Sequence, residues 1–223
     1  MNQLFYLGLH DGFQMALITI ITSLLLDLTS ILYIIELFKK PYGISLYLNS
    51  LILNFVNNFL LGSLSYGIVT YYVITQKTTD LNMMIFEIFS ILFIQSIGYY
   101  LMHMIMHTKN FYWMHRFHHK YSSIVIPMSA NAVTIYEYMF AYMLPIIFGI
   151  IIVRPCLESL YYAVKIISIF NLLIHTPWLN EISKYLVPDI FVSTNKHIEH
   201  HQKLNKNYAA PTINIDKIIS LLD

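Results

Sequence analysis

Histidine is the residue type whose spacing in this chain carries chemistry. Ten occur, and all but His10 fall between His103 and His201. His115, His118 and His119 sit in HRFHH; His197, His200 and His201 sit in HIEHH. Both triplets have the spacing H-x-x-H-H, which on a helix brings positions i, i+3 and i+4 together as a ready-made ligand set. At 10 histidines in 223 residues a chance copy arises roughly 0.02 times per chain, so two copies point to a metal site. HMIMH adds His103 and His107 at i, i+4 on one helix face. Alone that pair reads equally well as a helix-end feature at the headgroup level; its neighbours decide for ligation. His175, at the end of an apolar run, reads by itself as an interfacial histidine. The topology below brings it to the others, as a ligand or as support for one. His10 stands apart, before the first apolar run, with no role assigned.

Eight or nine imidazoles exceed the four ligands of a tetrahedral zinc ion, so one structural zinc does not account for them, whereas two metal ions do. Cys156 is the only cysteine, which excludes an internal disulfide and a thiolate cage. Imidazole suits iron, zinc, copper and nickel alike, so spacing leaves the element open.

The elements that must position these rings are membrane helices. The chain is 57% hydrophobic and 11% charged, with mean hydropathy +0.59, where a soluble domain is about one quarter charged. Apolar runs extend from about Phe13 to Phe38, Leu46 to Ile74, Met83 to His107, Thr134 to Val153 and Glu158 to His175. Lys39-Lys40-Pro41-Tyr42-Gly43, Gln76-Lys77-Thr78-Thr79-Asp80, the segment after His107 and Arg154-Pro155 break them. The last two runs are joined so tightly that they form a hairpin. The expectation is an all-α polytopic bundle of four to five spans carrying a histidine-rich helical cap. The first run, which contains Asp27 and Glu36, is the weakest span, and it is too long for a cleaved leader.

Alternating five spans puts all histidine-bearing segments on one side. That side collects ten lysines and arginines, from Lys39 to Lys217, against Lys77 and Arg154 opposite, with Lys165 inside a helix. By the positive-inside rule the histidines face the cytoplasm. A net charge of +1 and pI ≈ 7.8 without a basic stripe give no nucleic-acid partner.

In this order the motifs resemble the fatty acid hydroxylase and sterol desaturase superfamily of membrane di-iron enzymes: a histidine pair, H-x-x-H-H, a histidine after a transmembrane hairpin, and a second H-x-x-H-H. The flank MHRFHHKYSSIVIPMSANAVTIYEY is similar to the family's loop in which Ser-Ala and then a glutamate, here Glu137, follow the triplet. NKNYAAPTINIDKI, with Asn207-Tyr208 and Asp216, resembles the segment trailing the last triplet. The likeness runs from about Gln95 to the C-terminus. It implies a di-iron domain over 83–223 behind N-terminal spans at 1–82, the whole forming one compact membrane domain. Two iron ions, replaceable by zinc in a purified form, would be held by His103, His107, His115, His118, His119, His175, His197, His200 and His201. They would use dioxygen to hydroxylate or desaturate a lipid of sterol or fatty acyl type. The resemblance further implies no separate acid or base, Glu137 either behind a ligand or in ordinary helix-end placement, electrons from cytochrome b5 or an NAD(P)H-dependent reductase, and, in a eukaryote, the endoplasmic reticulum. Tyr99 and Tyr100 read as belt aromatics or pocket residues.

Three departures stand out. Leu179 replaces a second histidine four residues after His175, Met104 replaces a frequent arginine, and the usual Phe-Gly-Thr ending is missing. Leu179 favours the sterol-oxidase-like branch. Together with the ending it also supports a second class, an inactive membrane metal-binding or scaffold protein. A metal transporter fits less well, since it needs ionisable ligands in mid-membrane.

Overall fold

The computed structural model describes residues 2–72, 80–122 and 124–222. Within them the chain is all-α, with five helices long and apolar enough to cross a bilayer: Gln3–Thr29, Gly43–Tyr72, Leu81–Met106, Ile135–Val153 and Leu157–Ile174. The shortest, 18 residues, reaches roughly 27 Å at 1.5 Å per residue, close to a hydrocarbon core. Leu25, Leu28, Phe86, Phe89, Phe148 and Ile152 are exposed on their outer faces, as lipid requires and water would not tolerate. Among the described residues no strand forms, only an isolated antiparallel bridge between Phe191 and Ile213. The expected loop at Gln76–Thr79, with Lys77, lies outside the described residues. Asp80 caps the third span, accepting the Met83 N–H at 2.8 Å.

The first apolar run differs from expectation. Its helix starts at Asn2, breaks at Ser30, and a second helix follows at Ile31–Lys39. The break lets Ile34 and Leu37 pack on Tyr121, Ile126 and Met128 of the histidine-bearing side. Both arms are apolar, so hydrophobic periodicity alone does not reveal it. His10 therefore lies inside the first span rather than before it, largely exposed and 3.5 Å from Asp11. A small residue lets this early part pack closely on the second span. A Cβ on Gly8 would sit 2.5 Å from the Thr70 Cβ, so only glycine allows the first two spans to approach this closely.

The second and fourth spans each contain a π-helical stretch, Phe55–Gly62 and Tyr138–Met143. They meet where a Cβ on Gly62 would lie 2.6 Å from the Tyr138 hydroxyl. Such distortions mark places where a helix gives up regularity to shape a site. The fourth and fifth spans form the expected hairpin through Arg154, at φ 48 and ψ 60.

Between the first triplet and the fourth span the chain runs as a strap from Ile124 to Val133, buried from Val125 onward, with one 3₁₀ turn at Pro127–Asn131. Irregular backbone survives in an apolar setting only when its polar groups are satisfied. Side chains of the spans do this. The Met128 N–H donates to Asp27, and the Met128, Ala130 and Val133 carbonyls accept from Asn54, Asn171 and Asn57.

Candidate metal centre

The nine histidines between His103 and His201 form two adjoining groups. One contains His103, His107, His115, His119 and His200; the other contains His118, His175, His197 and His201. In each group the ligand atoms lie within 4.8 Å of one another. All are buried except His107, which is half-buried. His10 is not brought to them.

The triplets do not act as single ligand sets, contrary to the reading from spacing. Each is divided: His115 and His119 join the first group and His118 the second, while His197 and His201 join the second and His200 the first. Helical geometry explains the division. At 3.6 residues per turn, i+4 lies about 40° from i, whereas i+3 lies about 60° to the other side. The pair i, i+4 therefore aims at one point and i+3 at the neighbouring one. In the second triplet this happens on the continuous helix Thr194–Lys203. In the first, a single turn at Tyr112–His115 and a 3₁₀ turn at His118–Tyr121 achieve the same result. His103 and His107, at the end of the third span, complete the first group; His175, after the fifth span, completes the second.

The rings converge through Nε2. In the first group Nε2–Nε2 separations are 2.9 Å for His103–His115, 3.3 Å for His103–His107, 3.2 Å for His107–His119 and 2.8 Å for His115–His119. In the second they are 3.4 Å for His118–His175, 2.9 Å for His175–His197 and 3.2 Å for His197–His201. Two nitrogens on a common ion with bonds of about 2.1 Å stand roughly 3.0 to 3.4 Å apart at octahedral to tetrahedral angles.

Tautomers sharpen the fit. A carbonyl only accepts, so His103, giving its Nδ1–H to the Tyr208 carbonyl at 2.7 Å, presents a bare Nε2. His200 does the same with the Lys206 carbonyl at 2.8 Å, and His175 with the Asn171 carbonyl at 2.7 Å. His115 Nδ1 pairs with Glu137 Oε1 at 2.7 Å, with both side chains fully buried, and gives its Nδ1–H to that oxygen when Glu137 is ionised. The His103 and His115 lone pairs thus oppose each other at 2.9 Å. Protonation does not relieve this opposition. Burial, reinforced by neighbouring imidazoles, pushes His115, His118, His197 and His201 well below the usual histidine range. It lowers His107 to about 3 and His119 to about 2. A metal cation would turn the opposed lone pairs into ligands, and the donor set of each group could hold one.

Several expected supports fall into place. Glu137 stands behind His115, the Tyr99 ring meets His103 edge-on at 5.2 Å, and Tyr208 packs against His107 at 5.3 Å. Asp216 accepts the Ala209 N–H at 2.7 Å, fixing the segment that follows Tyr208. Tyr100 meets the Tyr208 ring at 6.4 Å and packs against the core around Met106 and Ala209 rather than against an imidazole. Sequence reading missed the carbonyls of Asn171, Lys206 and Tyr208, because any residue carries one. It also passed over Asn131 and Asn171, joined at 3.0 Å, although an asparagine inside an apolar run was a usable signal.

Inside the bundle a cavity of about 90 Å³ runs between the first, second, fourth and fifth spans. Along the fifth span its wall extends from Leu160 to Asn171, roughly 16 Å. Asn131, Tyr142 and Asn171 line it as well, and Asn171 is the residue whose carbonyl holds His175.

No curated protein and no solved structure matches this chain. The fatty acid hydroxylase family model matches residues 88–220, more than half the chain and the segment that holds all nine clustered histidines. The chain belongs to the fatty acid hydroxylase family, within the fatty acid hydroxylase and sterol desaturase superfamily.

Proposed function

We propose that this protein is a membrane di-iron oxidoreductase that uses dioxygen to hydroxylate or desaturate a C–H bond of a lipid. One observation carries the reading: nine imidazoles from four stretches of chain present converging Nε2 atoms as two adjoining groups at the end of an apolar bundle. Iron, when bound, supplies the redox chemistry with dioxygen that an unactivated C–H bond demands. The chain's own part is placement. His103, His107, His115, His119 and His200 hold one ion and His118, His175, His197 and His201 the other. The Tyr208, Lys206 and Asn171 carbonyls, with Glu137, fix ring orientation and tautomer.

The cavity below Asn171 receives the lipid's apolar part and keeps water from it. Leu179 supports the sterol-oxidase-like branch. Ten lysines and arginines on the histidine side support a cytoplasmic face, where cytochrome b5 or an NAD(P)H-dependent reductase delivers electrons, and in a eukaryote the endoplasmic reticulum as the membrane.

The test compares lipids of cells expressing the wild type with those expressing a His118→Ala, His119→Ala double variant, with and without oxygen. An additional hydroxyl or double bond made only by the wild type and only in oxygen is the expected result. Identical lipids in all arms, or fewer than one metal ion per purified wild-type chain, would sink the proposal. The scaffold alternative predicts bound metal with no oxygen-dependent product.

A further inference from the structure

We infer that Asp27 and Asn54, in the first two spans, are positioning residues for the His118–His119 corner of the metal centre. The inference rests on the metal-centre reading above. It starts from a cost: a carboxylate in a membrane helix is expensive and calls for a named partner. Asp27 is buried. Its Oδ1 accepts the Met128 N–H at 3.1 Å, and its Oδ2 accepts the Tyr47 hydroxyl at 2.8 Å. From the second span, Asn54 donates to the Met128 carbonyl at 3.0 Å and Asn57 to the Val133 carbonyl at 2.9 Å. Ser50 bonds the Tyr121 hydroxyl at 2.6 Å, two residues beyond His119. The strap that leaves the first histidine triplet is thus gripped at Tyr121, at both polar groups of Met128 and at Val133. These grips come from residues before position 88, where the family match begins; the intervening Ala130 and Asn131 are held instead by Tyr142 and Asn171 of the fourth and fifth spans.

The other ligands are held mainly by later segments, with one bond to the first span, from Trp178 to Thr29 at 3.0 Å. His103 and His107 ride on the end of the third span, His175 follows the fifth, and Glu137 holds His115. Loosening the strap therefore displaces His118 and His119 first, one from each group. The five-histidine group keeps four ligands. The four-histidine group is left with His175, His197 and His201.

The experiment measures iron bound per chain, by mass spectrometry of the full chain purified in lipid nanodiscs, with metal affinity by titration. The variants are Asp27→Leu, Asn54→Leu and Asp27→Asn. Leucine is the better membrane residue, so a span that only anchors the chain gains from Asp27→Leu. Asp27→Asn keeps an acceptor for the Met128 N–H. The expected result is about two irons in the wild type and in Asp27→Asn, and about one in each leucine variant, with the remaining iron showing that the fold persists. Tyr47→Phe, which removes one bond to Asp27, covers the case in which the leucine variants fail to fold. It should weaken the second iron a few-fold, less than the loss of a direct outer support of a ligand would. Two irons at unchanged affinity in the leucine variants, or in Tyr47→Phe, would overturn the inference while leaving the metal centre standing. Fewer than one iron in the wild type would overturn both.

Discussion

The two histidine groups are built from the same triplet spacing, yet their rings are secured differently. In the five-histidine group three rings have an acceptor at Nδ1: the Tyr208 carbonyl behind His103, Glu137 behind His115 and the Lys206 carbonyl behind His200. In the four-histidine group the Asn171 carbonyl secures His175 and the Ser129 backbone supports His118, while the Nδ1 atoms of His197 and His201, like that of His119 in the first group, have no hydrogen-bond partner among the described residues. A ring fixed from behind presents its lone pair without losing rotamer freedom on binding; an unfixed ring must be ordered by the metal itself. The first group is therefore the more firmly preorganised and the second the more adaptable. A site that must change its coordination during a reaction benefits from that adaptability.

The largest expected effect comes from removing one ligand on each side of this comparison. His197→Ala leaves the smaller group with three donors and removes neighbours at 2.9 and 3.2 Å from His175 and His201. Bound metal should fall from about two ions per chain to about one, and oxygen-dependent lipid product should fall about a hundredfold or more. His107→Ala leaves the larger group with four donors and removes its half-buried member, so both ions should stay, one of them more weakly. Equal metal loss in the two variants would make the groups equivalent and break the comparison.

Next in size is the order of release. Dialysis of the loaded protein against a chelator should remove metal in two phases, the faster one from the four-histidine group. In His197→Ala the fast phase should be missing. A single phase in the wild type would contradict unequal preorganisation.

Glu137 tests the larger group alone. Glu137→Ala strands a buried Nδ1–H on His115, a loss of about 1 to 3 kcal/mol, and frees the ring to turn. Affinity for that group's ion should drop about 10- to 100-fold, with the other ion unaffected. Glu137→Gln keeps a carbonyl oxygen for the same bond and should lose far less. If glutamine were as damaging as alanine, charge rather than orientation would be the contribution of Glu137.

How much of this arrangement is legible in the sequence depends on which chain property carries it. Span number, the hairpin at Arg154-Pro155 and all nine clustered histidines follow from apolar runs and spacing, because those patterns are local. The split of each triplet between two groups is latent in the 40° and 60° offsets of a helix, but it becomes visible only once a second triplet faces the first. The break at Ser30 is hidden, since helix on either side of it is equally apolar and the reason for bending, contact with Tyr121 and Met128, lies some ninety residues away. Carbonyl supports are invisible in principle, because Asn171, Lys206 and Tyr208 contribute atoms common to every residue. Asp27, Asn54, Asn57 and Asn171 occupy the middle ground. Each is a polar residue in an apolar run, which signals a buried partner without naming it.

The smallest expected effect lies at the rim of the five-histidine group. Glu199 accepts from Lys206 at 2.6 Å, Lys203 at 2.9 Å and the Asn207 side chain at 3.0 Å. It thereby ties the helix bearing His200 to the segment whose carbonyls, at Lys206 and Tyr208, orient His200 and His103. Hydrogen bonds from Lys206 and Lys203 bring the Glu199 carboxyl down to about 2. A lowered carboxylate stabilises the fold above its ordinary value, near 4.5, and loses that contribution as pH falls toward 2, so the tie is intact throughout the neutral range. The pairs are partly exposed, and each is worth about 0 to 1 kcal/mol. What the tie adds is the placement of Asn207, held at φ 56 with its amide on both Glu199 and the Lys196 carbonyl. Glu199→Ala should therefore weaken one ion a few-fold, in the five-histidine group only, with little change in melting temperature. Lys184→Ala is the matched comparison. It breaks a similar exposed pair with Glu181 at 2.7 Å, on a helix whose carbonyls orient none of the nine imidazoles, and metal affinity should not move. A few-fold change in both variants would assign the effect to surface charge, whereas a change in Glu199→Ala alone assigns it to the two carbonyls that the five-histidine group has and the four-histidine group lacks.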